Sequence, residues 1–203
     1  TINTRYQRSA RIDTDWKNDV VTGYVLHSTA RGIVRRIGEQ IADTEKPQKS
    51  FTITGPYGGG KSSLALIIAN LVSGDKDTQQ KTIQIFKDKE DKSIIKKAFA
   101  TSKKGWLTIR VVGSRSNPSE SIYQATLDAI KNRFKKTPAK LNIRKKPSQK
   151  NLLNLLDQLT TELSKSDDSI MLIVDEMGKF LEHAAYENGD IFIFQEIAEK
   201  FNR

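Results

Sequence analysis

Apolar positions along this chain recur at two spacings, and the alternation between them outlines its elements. Ala30, Ile33, Val34, Ile37 and Ile41 follow the i, i+3, i+4, i+7 rhythm of an amphipathic helix, with Arg31, Arg35 and Arg36 elsewhere round it and Pro47 beyond its end. Leu64, Ile67, Ile68, Leu71 and Val72 form a second stripe, closing near Ser73-Gly74-Asp75 and predicting a helix buried against a sheet. Glu90 to Phe99 reads as a charged surface helix anchored by Ile94, Ile95, Ala98 and Phe99. After the turn signal Asn117-Pro118-Ser119-Glu120, the residues Ile122, Tyr123, Thr126, Leu127, Ile130 and Phe134 keep helical spacing, as do Leu152, Leu155, Leu156, Leu159 and Leu163. Phe180, Leu181, Ala184 and Ala185 give an apolar side to a further helix, and Phe194, Ile197, Ala198 and Phe201 outline the last.

Three short apolar runs have the other character. Phe51-Thr52-Ile53-Thr54, Trp106 to Val112 and Ile170 to Val174 each predict a strand, and the five successive apolar residues of the third describe a strand buried on both faces. Strands alternating with helices predict an α/β fold with a mostly parallel sheet flanked by helices. Asp75 to Gln80 reads as a polar connection and Ile83 to Phe86 as an ambiguous run. Residues 1–24 read as an extended N-terminal arm packing through Tyr6, Ile12 and Trp16, and residues 25–203 as the core. Tyr24, Val25 and Leu26 fit either core packing or a place beside a nucleotide base.

Composition narrows the class. The 203 residues contain no cysteine, which excludes disulfides and Cys-based zinc sites, and His27 and His183 have no partner at ligand spacing. No apolar run approaches the ~18–20 residues of a membrane span, so the sequence reads as a soluble, cytoplasmic protein with no membrane partner. The formal net charge of +10 is unevenly spread. Lys131, Arg133, Lys135, Lys136, Lys140, Arg144, Lys145, Lys146 and Lys150 follow one another with no intervening acid. The part at 135–150, broken by Pro138 and Pro147, behaves as a basic insertion between two helices, suited to nucleic-acid phosphates, an acidic partner protein or solvent.

The candidate chemistry begins where the first run ends. Gly55-Pro56-Tyr57-Gly58-Gly59-Gly60-Lys61-Ser62, followed by Ser63, has the G-x-x-x-x-G-K-[ST] spacing of a phosphate-binding loop, or Walker A motif, placed between a strand and a helix. Glycines let backbone N–H groups point inward at a phosphate, and the new helix offers its unpaired first-turn donors and positive dipole end. Lys61 is placed to reach the β- and γ-phosphates of ATP, and the Ser62 hydroxyl to bind the magnesium ion bridging them.

The third run delivers Asp175 and Glu176 at its C-terminal end, where the strands of a parallel sheet meet their ligands. In this Walker B position Asp175 would hold magnesium opposite Ser62, and Glu176 would orient or deprotonate the water attacking the γ-phosphate. A nucleotide triphosphate with one magnesium keeps about two negative charges, which Lys61 and the backbone dipoles can balance. Arg115 and Ser116, after the second run, fit either an approach to the γ-phosphate or the closing of a loop.

Arg11-Ile12-Asp13-Thr14-Asp15-Trp16, Gly55 to Ser63, Val174-Asp175-Glu176-Met177-Gly178-Lys179-Phe180-Leu181-Glu182, Gly189-Asp190 and Gln195-Glu196-Ile197-Ala198-Glu199 together resemble the N-terminal ATPase region of large bacterial proteins associated with phage defence, of the BREX/Pgl type. The resemblance implies a P-loop NTPase fold, AAA-like or STAND-like. It also implies nucleotide and magnesium binding by Lys61 and Ser62, and hydrolysis supported by Asp175 and Glu176. Family members are far longer. With no polar sensor strand, lid or arginine finger following Glu176, the expectation is the N-terminal part of a longer protein, incomplete at the C-terminus, working as a homo-oligomer or with other subunits of a defence complex.

The leading reading is therefore a magnesium-dependent ATPase module of a larger assembly, with DNA as a candidate partner. The alternative is a nucleotide-dependent scaffold or switch with little intrinsic hydrolysis. A small-molecule kinase is disfavoured, because no arginine-rich lid follows Asp175 and Glu176 suits water activation better than substrate phosphorylation.

Overall fold

The structure, a computed structural model, describes residues 10–17, 19–143, 146–187 and 191–202. Tyr6, Arg144, Lys145, Gly189 and Asp190, each singled out above, lie outside them. The described residues form an α/β structure of eight helices and one two-stranded parallel sheet. Two compact units divide between Gly105 and Trp106, the terminal residues from Phe201 grouping with the first.

In the first unit Ile12 is fully buried, but the segment around it is a tight turn rather than the extended arm expected. The reason is a reciprocal pair of bonds. The Arg11 amide donates to the Asp15 carboxylate and the Asp15 amide donates to the Arg11 carbonyl, both at 2.9 Å, and a single 3-10 turn follows at Asp15–Lys17.

Helix α1 (Ser28–Ala42) begins at His27, whose Nδ1 accepts from the Ala30 amide at 3.2 Å, and buries Ala30, Val34 and Ile37. The stripe from Leu64 becomes α2 (Lys61–Leu71). Leu66 and Ala69 are buried along with Leu64, Ile67, Ile68 and Leu71, so this helix is enclosed over most of its circumference.

Helix α3 (Lys76–Gln84) occupies the stretch expected to be a polar connection. Local bonds build it. The Asp75 carboxylate caps it by accepting from the Asp77 amide, Asp77 pairs with Lys81 one turn on at 2.6 Å, and Thr82 bonds back to the Thr78 carbonyl. Phe86, just past its end, is fully buried.

Helix α4 (Lys89–Ala98) is capped by Asp88 and packs on α1 through Ile95, Ala98 and the adjoining Phe99. Ions fasten this contact. Asp91, with no exposed side-chain surface, accepts from Arg31 and Arg35 of α1, and Arg35 also pairs with Glu90 at 2.8 Å. These carboxylates hold the Arg31 and Arg35 guanidinium groups above their ordinary pKa.

Phe51–Thr54 is the one expected strand that does not form. A strand exists through its ladder partner, and the first unit is built of helices; the segment there belongs to no regular element, with Phe51, Thr52 and Thr54 exposed.

The second unit holds the sheet. Strand β1 (Leu107–Val112) pairs in parallel with β2 (Ile170–Asp175), from Leu107 opposite Ile170 to Val112 opposite Asp175. Helix α5 (Pro118–Arg133) connects them on one face, with Asn117 capping it and Pro118 opening its first turn, and α6 (Gln149–Ser164) returns the chain to β2. Leu107, Ile109 and Val111 are buried, together with Ile122, Tyr123 and Ile130 of α5 and Leu152, Leu155, Leu156, Leu159 and Leu163 of α6.

Strand β2 is half-buried along its whole length instead of buried on both faces. Only one of its edges is paired and α6 covers one face, so an apolar run of this kind need not lie in a fully enclosed central strand. Helices α7 (Gly178–Glu187) and α8 (Phe192–Asn202) follow, joined through the tilted rings of Phe180 and Phe194 at 6.0 Å.

Candidate functional site

The loop residues Gly55, Pro56, Tyr57, Gly58, Gly59 and Gly60 are all exposed, and their turns are made by glycine. Gly58 and Gly60 take φ values of 73° and 77°, which L side chains rarely adopt. The Gly59 amide donates to the Pro56 carbonyl at 3.2 Å, closing a tight turn before the chain enters α2.

Helix α2 starts without a cap. Gly60 has no side chain to accept from the first amides, and no acidic residue occupies the first turn. The helix therefore presents unfilled donors and the positive end of its dipole at Lys61, Ser62 and Ser63, all partly exposed. The Lys61 ammonium folds back onto the loop, donating to the carbonyls of Gly55 and Pro56 at 2.9 and 2.8 Å, 5.9 Å from the centre of the Tyr57 ring. Neutral carbonyls are weaker partners than a phosphate oxygen, so the ammonium has more to gain from an anion than from its present bonds. Tyr57 is 99% exposed.

The acidic pair Asp175 and Glu176 lies in the second unit. Asp175 is the last residue of β2, and its carbonyl accepts from the Gly113 amide at 2.8 Å, so the ladder runs to the end of the strand. One oxygen of its carboxylate accepts from the Glu176 amide at 2.9 Å. Glu176 itself is exposed and lies in the left-handed region, with φ at 51°. This conformation turns the chain sharply off the strand and costs a non-glycine residue roughly 1–3 kcal/mol. The Glu176 carbonyl accepts from the Lys179 amide at 3.0 Å, while its carboxylate takes a salt bridge from the Lys179 ammonium in the first turn of α7.

Two features here were not singled out in the sequence. Lys179 stands three residues after Glu176, the spacing of neighbours on a helix face, and that signal was available. Gly113, directly after β1, gave no signal, because its role depends on how near the Glu176 backbone comes. Arg115 is 79% exposed with Glu182 of α7 at 4.0 Å, and the Ser116 hydroxyl lies between those of Ser114 and Ser121, at 2.8 and 2.9 Å. Of the two readings offered for this loop, these contacts match closure. Val25 is 79% exposed, so core packing does not account for it.

No group of three or more side chains able to hold a metal occurs among the described residues. Magnesium held against nucleotide phosphates does not require one, since one or two protein oxygens suffice and the phosphates and water complete its shell. The Ser62 hydroxyl in the first unit and the Asp175 carboxylate in the second are each, taken separately, oxygen ligands of the hardness magnesium takes. No helix among the described residues is long and apolar enough to cross a membrane.

No protein-family model matches the sequence, and comparison with curated proteins and with solved structures finds no match either.

Proposed function

We propose that the chain is a nucleotide-binding and ATP-hydrolysing module of the P-loop NTPase class. The observation that carries this reading is the Gly55–Ser62 loop itself. Two left-handed glycines feed an uncapped, acid-free helix start, and a lysine ammonium at that start is bonded to two neutral loop carbonyls.

In this reading the amides from Gly58 to Ser63 bind the phosphates and Lys61 exchanges its carbonyl partners for the β- and γ-phosphate oxygens. Ser62 and Asp175 would hold magnesium, which when bound neutralises charge on the phosphates as the terminal bond breaks. Glu176 orients the attacking water and takes its proton, with Lys179 as the group that must release it first. Participation in a larger phage-defence assembly is the contribution of the resemblance, through the residues flanking these motifs.

The reading is tested by ATP binding and phosphate release on the full chain. Lys61→Ala should weaken ATP binding by ~10- to 100-fold, the range of a charge-assisted hydrogen bond. Glu176→Gln should leave binding within about threefold and lower turnover by ~10²- to 10⁴-fold, as expected for a general base. Tight binding by the unaltered chain without turnover would favour the switch reading over the ATPase, and no binding would overturn both.

A further inference from the structure

We propose that the lysines of the segment joining α5 to α6 form a surface for the backbone of duplex nucleic acid, bound without regard to sequence. No acidic residue occurs from Ala129 to Leu156. Two of the basic residues there are committed elsewhere: Arg133 is paired with the buried Asp168 at 2.6 Å, and Lys131 lies 3.6 Å from Asp128. Lys135, Lys136, Lys140, Lys146 and Lys150 are exposed, and among the described residues none has an acidic partner.

The segment that carries them is anchored. Leu141 is only 7% exposed, its amide donates to the Pro138 carbonyl at 3.0 Å, and the Asn142 amide donates to the Gln158 side chain of α6 at 2.7 Å. The Lys146 carbonyl accepts from Asn151, also in α6, at 3.0 Å. These bonds tie Leu141, Asn142 and Lys146 down, so a polyanion meeting the exposed lysines beside them faces less ordering cost than a free loop would impose.

The chemistry of the surface selects the partner. Protein interfaces are depleted of lysine and enriched in aromatic residues and arginine, whereas this surface offers lysine and, among large apolar side chains, only Ile143 at 40% exposure. A membrane surface would call for inserted apolar or aromatic side chains beside the charge, and Leu141 points inward. Single strands are held by bases stacked on aromatic side chains, and Phe134 is half-buried. Point charges without readers of base edges suit duplex phosphates, where affinity comes from released counterions.

The test is fluorescence anisotropy with the full chain and labelled duplexes of ~25 base pairs, one rich in G·C and one rich in A·T, across salt from about 50 to about 300 mM. Similar affinities for the two, with a log–log salt slope of about −4, are expected for four or five phosphate contacts. Lys135→Glu/Lys136→Glu/Lys140→Glu should weaken binding at least about tenfold and flatten the slope by about 3. Lys87→Glu/Lys89→Glu/Lys103→Glu, the same charge change on exposed residues of the first unit, should leave both nearly unchanged. Circular dichroism of both variants checks folding. Absent duplex binding, equal weakening by the second variant, tighter binding of the corresponding single strand, or tighter binding of phosphatidylserine vesicles would each overturn the proposal. Failure of ATP binding would leave it standing, since no step here uses the nucleotide.

Discussion

Gly113 and Glu176 come so close that a β-carbon on residue 113 would lie 2.1 Å from the Glu176 carbonyl oxygen and 3.2 Å from that of Asp175. The end of β1 is thereby pressed against the turn that carries both candidate catalytic carboxylates. No flexible side chain could yield, because the atoms in the way are backbone.

Gly113→Ala must therefore push the Asp175-Glu176 turn away from β1. A displacement on the order of 1 Å at a catalytic group costs up to about 100-fold in rate. On the proposed function, the expected outcome is phosphate release reduced by about that factor, with ATP affinity much less affected because the Gly55–Ser62 loop belongs to the other unit. Steady-state phosphate release and nucleotide titration on the same preparation separate the two effects.

Lys179 poses a question of magnitude. Its salt bridge with Glu176 is half-exposed on both sides, and such pairs contribute only about 0.2–1 kcal/mol. A cation in the first turn of a helix also opposes the dipole. The bond is thus weak enough to open thermally, and Lys179→Met should free the carboxylate and raise basal phosphate release by no more than about fivefold. A fall of tenfold or more would show instead that Lys179 assists the reaction.

Arg110 sits in β1 opposite Ile173, and burial pushes its guanidinium pKa down to about 10. A base whose pKa is lower folded than unfolded favours unfolding while protonated, and the penalty fades as pH rises through about 10. Relative to Arg110→Met, which keeps length without charge, the unaltered protein should gain stability as pH rises from 7.5 to 10.5. Urea unfolding of both proteins at pH 7.5 and 10.5 measures the difference.

Acid should act first on the helix caps. The amides of Asp91 and Glu90 hold the Asp88 carboxyl below its ordinary range, and Asp75 is lowered chiefly by the Thr78 hydroxyl. Carboxyls lowered by folding contribute stability above about pH 4 that is lost as pH falls through their folded values. Helicity measured by circular dichroism should fall in that window, and Asp88→Asn, which still caps, should reduce its pH dependence.

Much of this structure was legible because its helices obey one face. The spacing of Val34 and Ile37, or of Leu152 to Leu163, states which side is buried before any neighbour is known. Helix α3 escaped notice for the opposite reason: its stability is local, held by Asp75, Asp77 and Thr78 with little apolar surface to betray it. Phe51–Thr54 was misread because strand propensity supplies no partner, and a ladder needs two chains. The glycines of the Gly55–Ser62 loop could be read as turn-makers outright, and Gly58 and Gly60 do take left-handed conformations. The hold on Glu176 could not, because Gly113 acts through a backbone approach that no side chain announces.

The half-buried strand β2 has a further consequence for the protein in concentrated solution. Ile170-Met171-Leu172-Ile173-Val174 is an uncharged, proline-free run, and in the two-stranded sheet one of its edges has no partner. Among the described residues no strand covers that edge and the run carries no lysine, so an edge of that composition is a template on which another extended chain can add by backbone pairing. Self-association of this chain should therefore nucleate at Ile170–Val174, a few residues from the carboxylates, and a single lysine at Met171 would be the most economical way to keep the molecule dispersed.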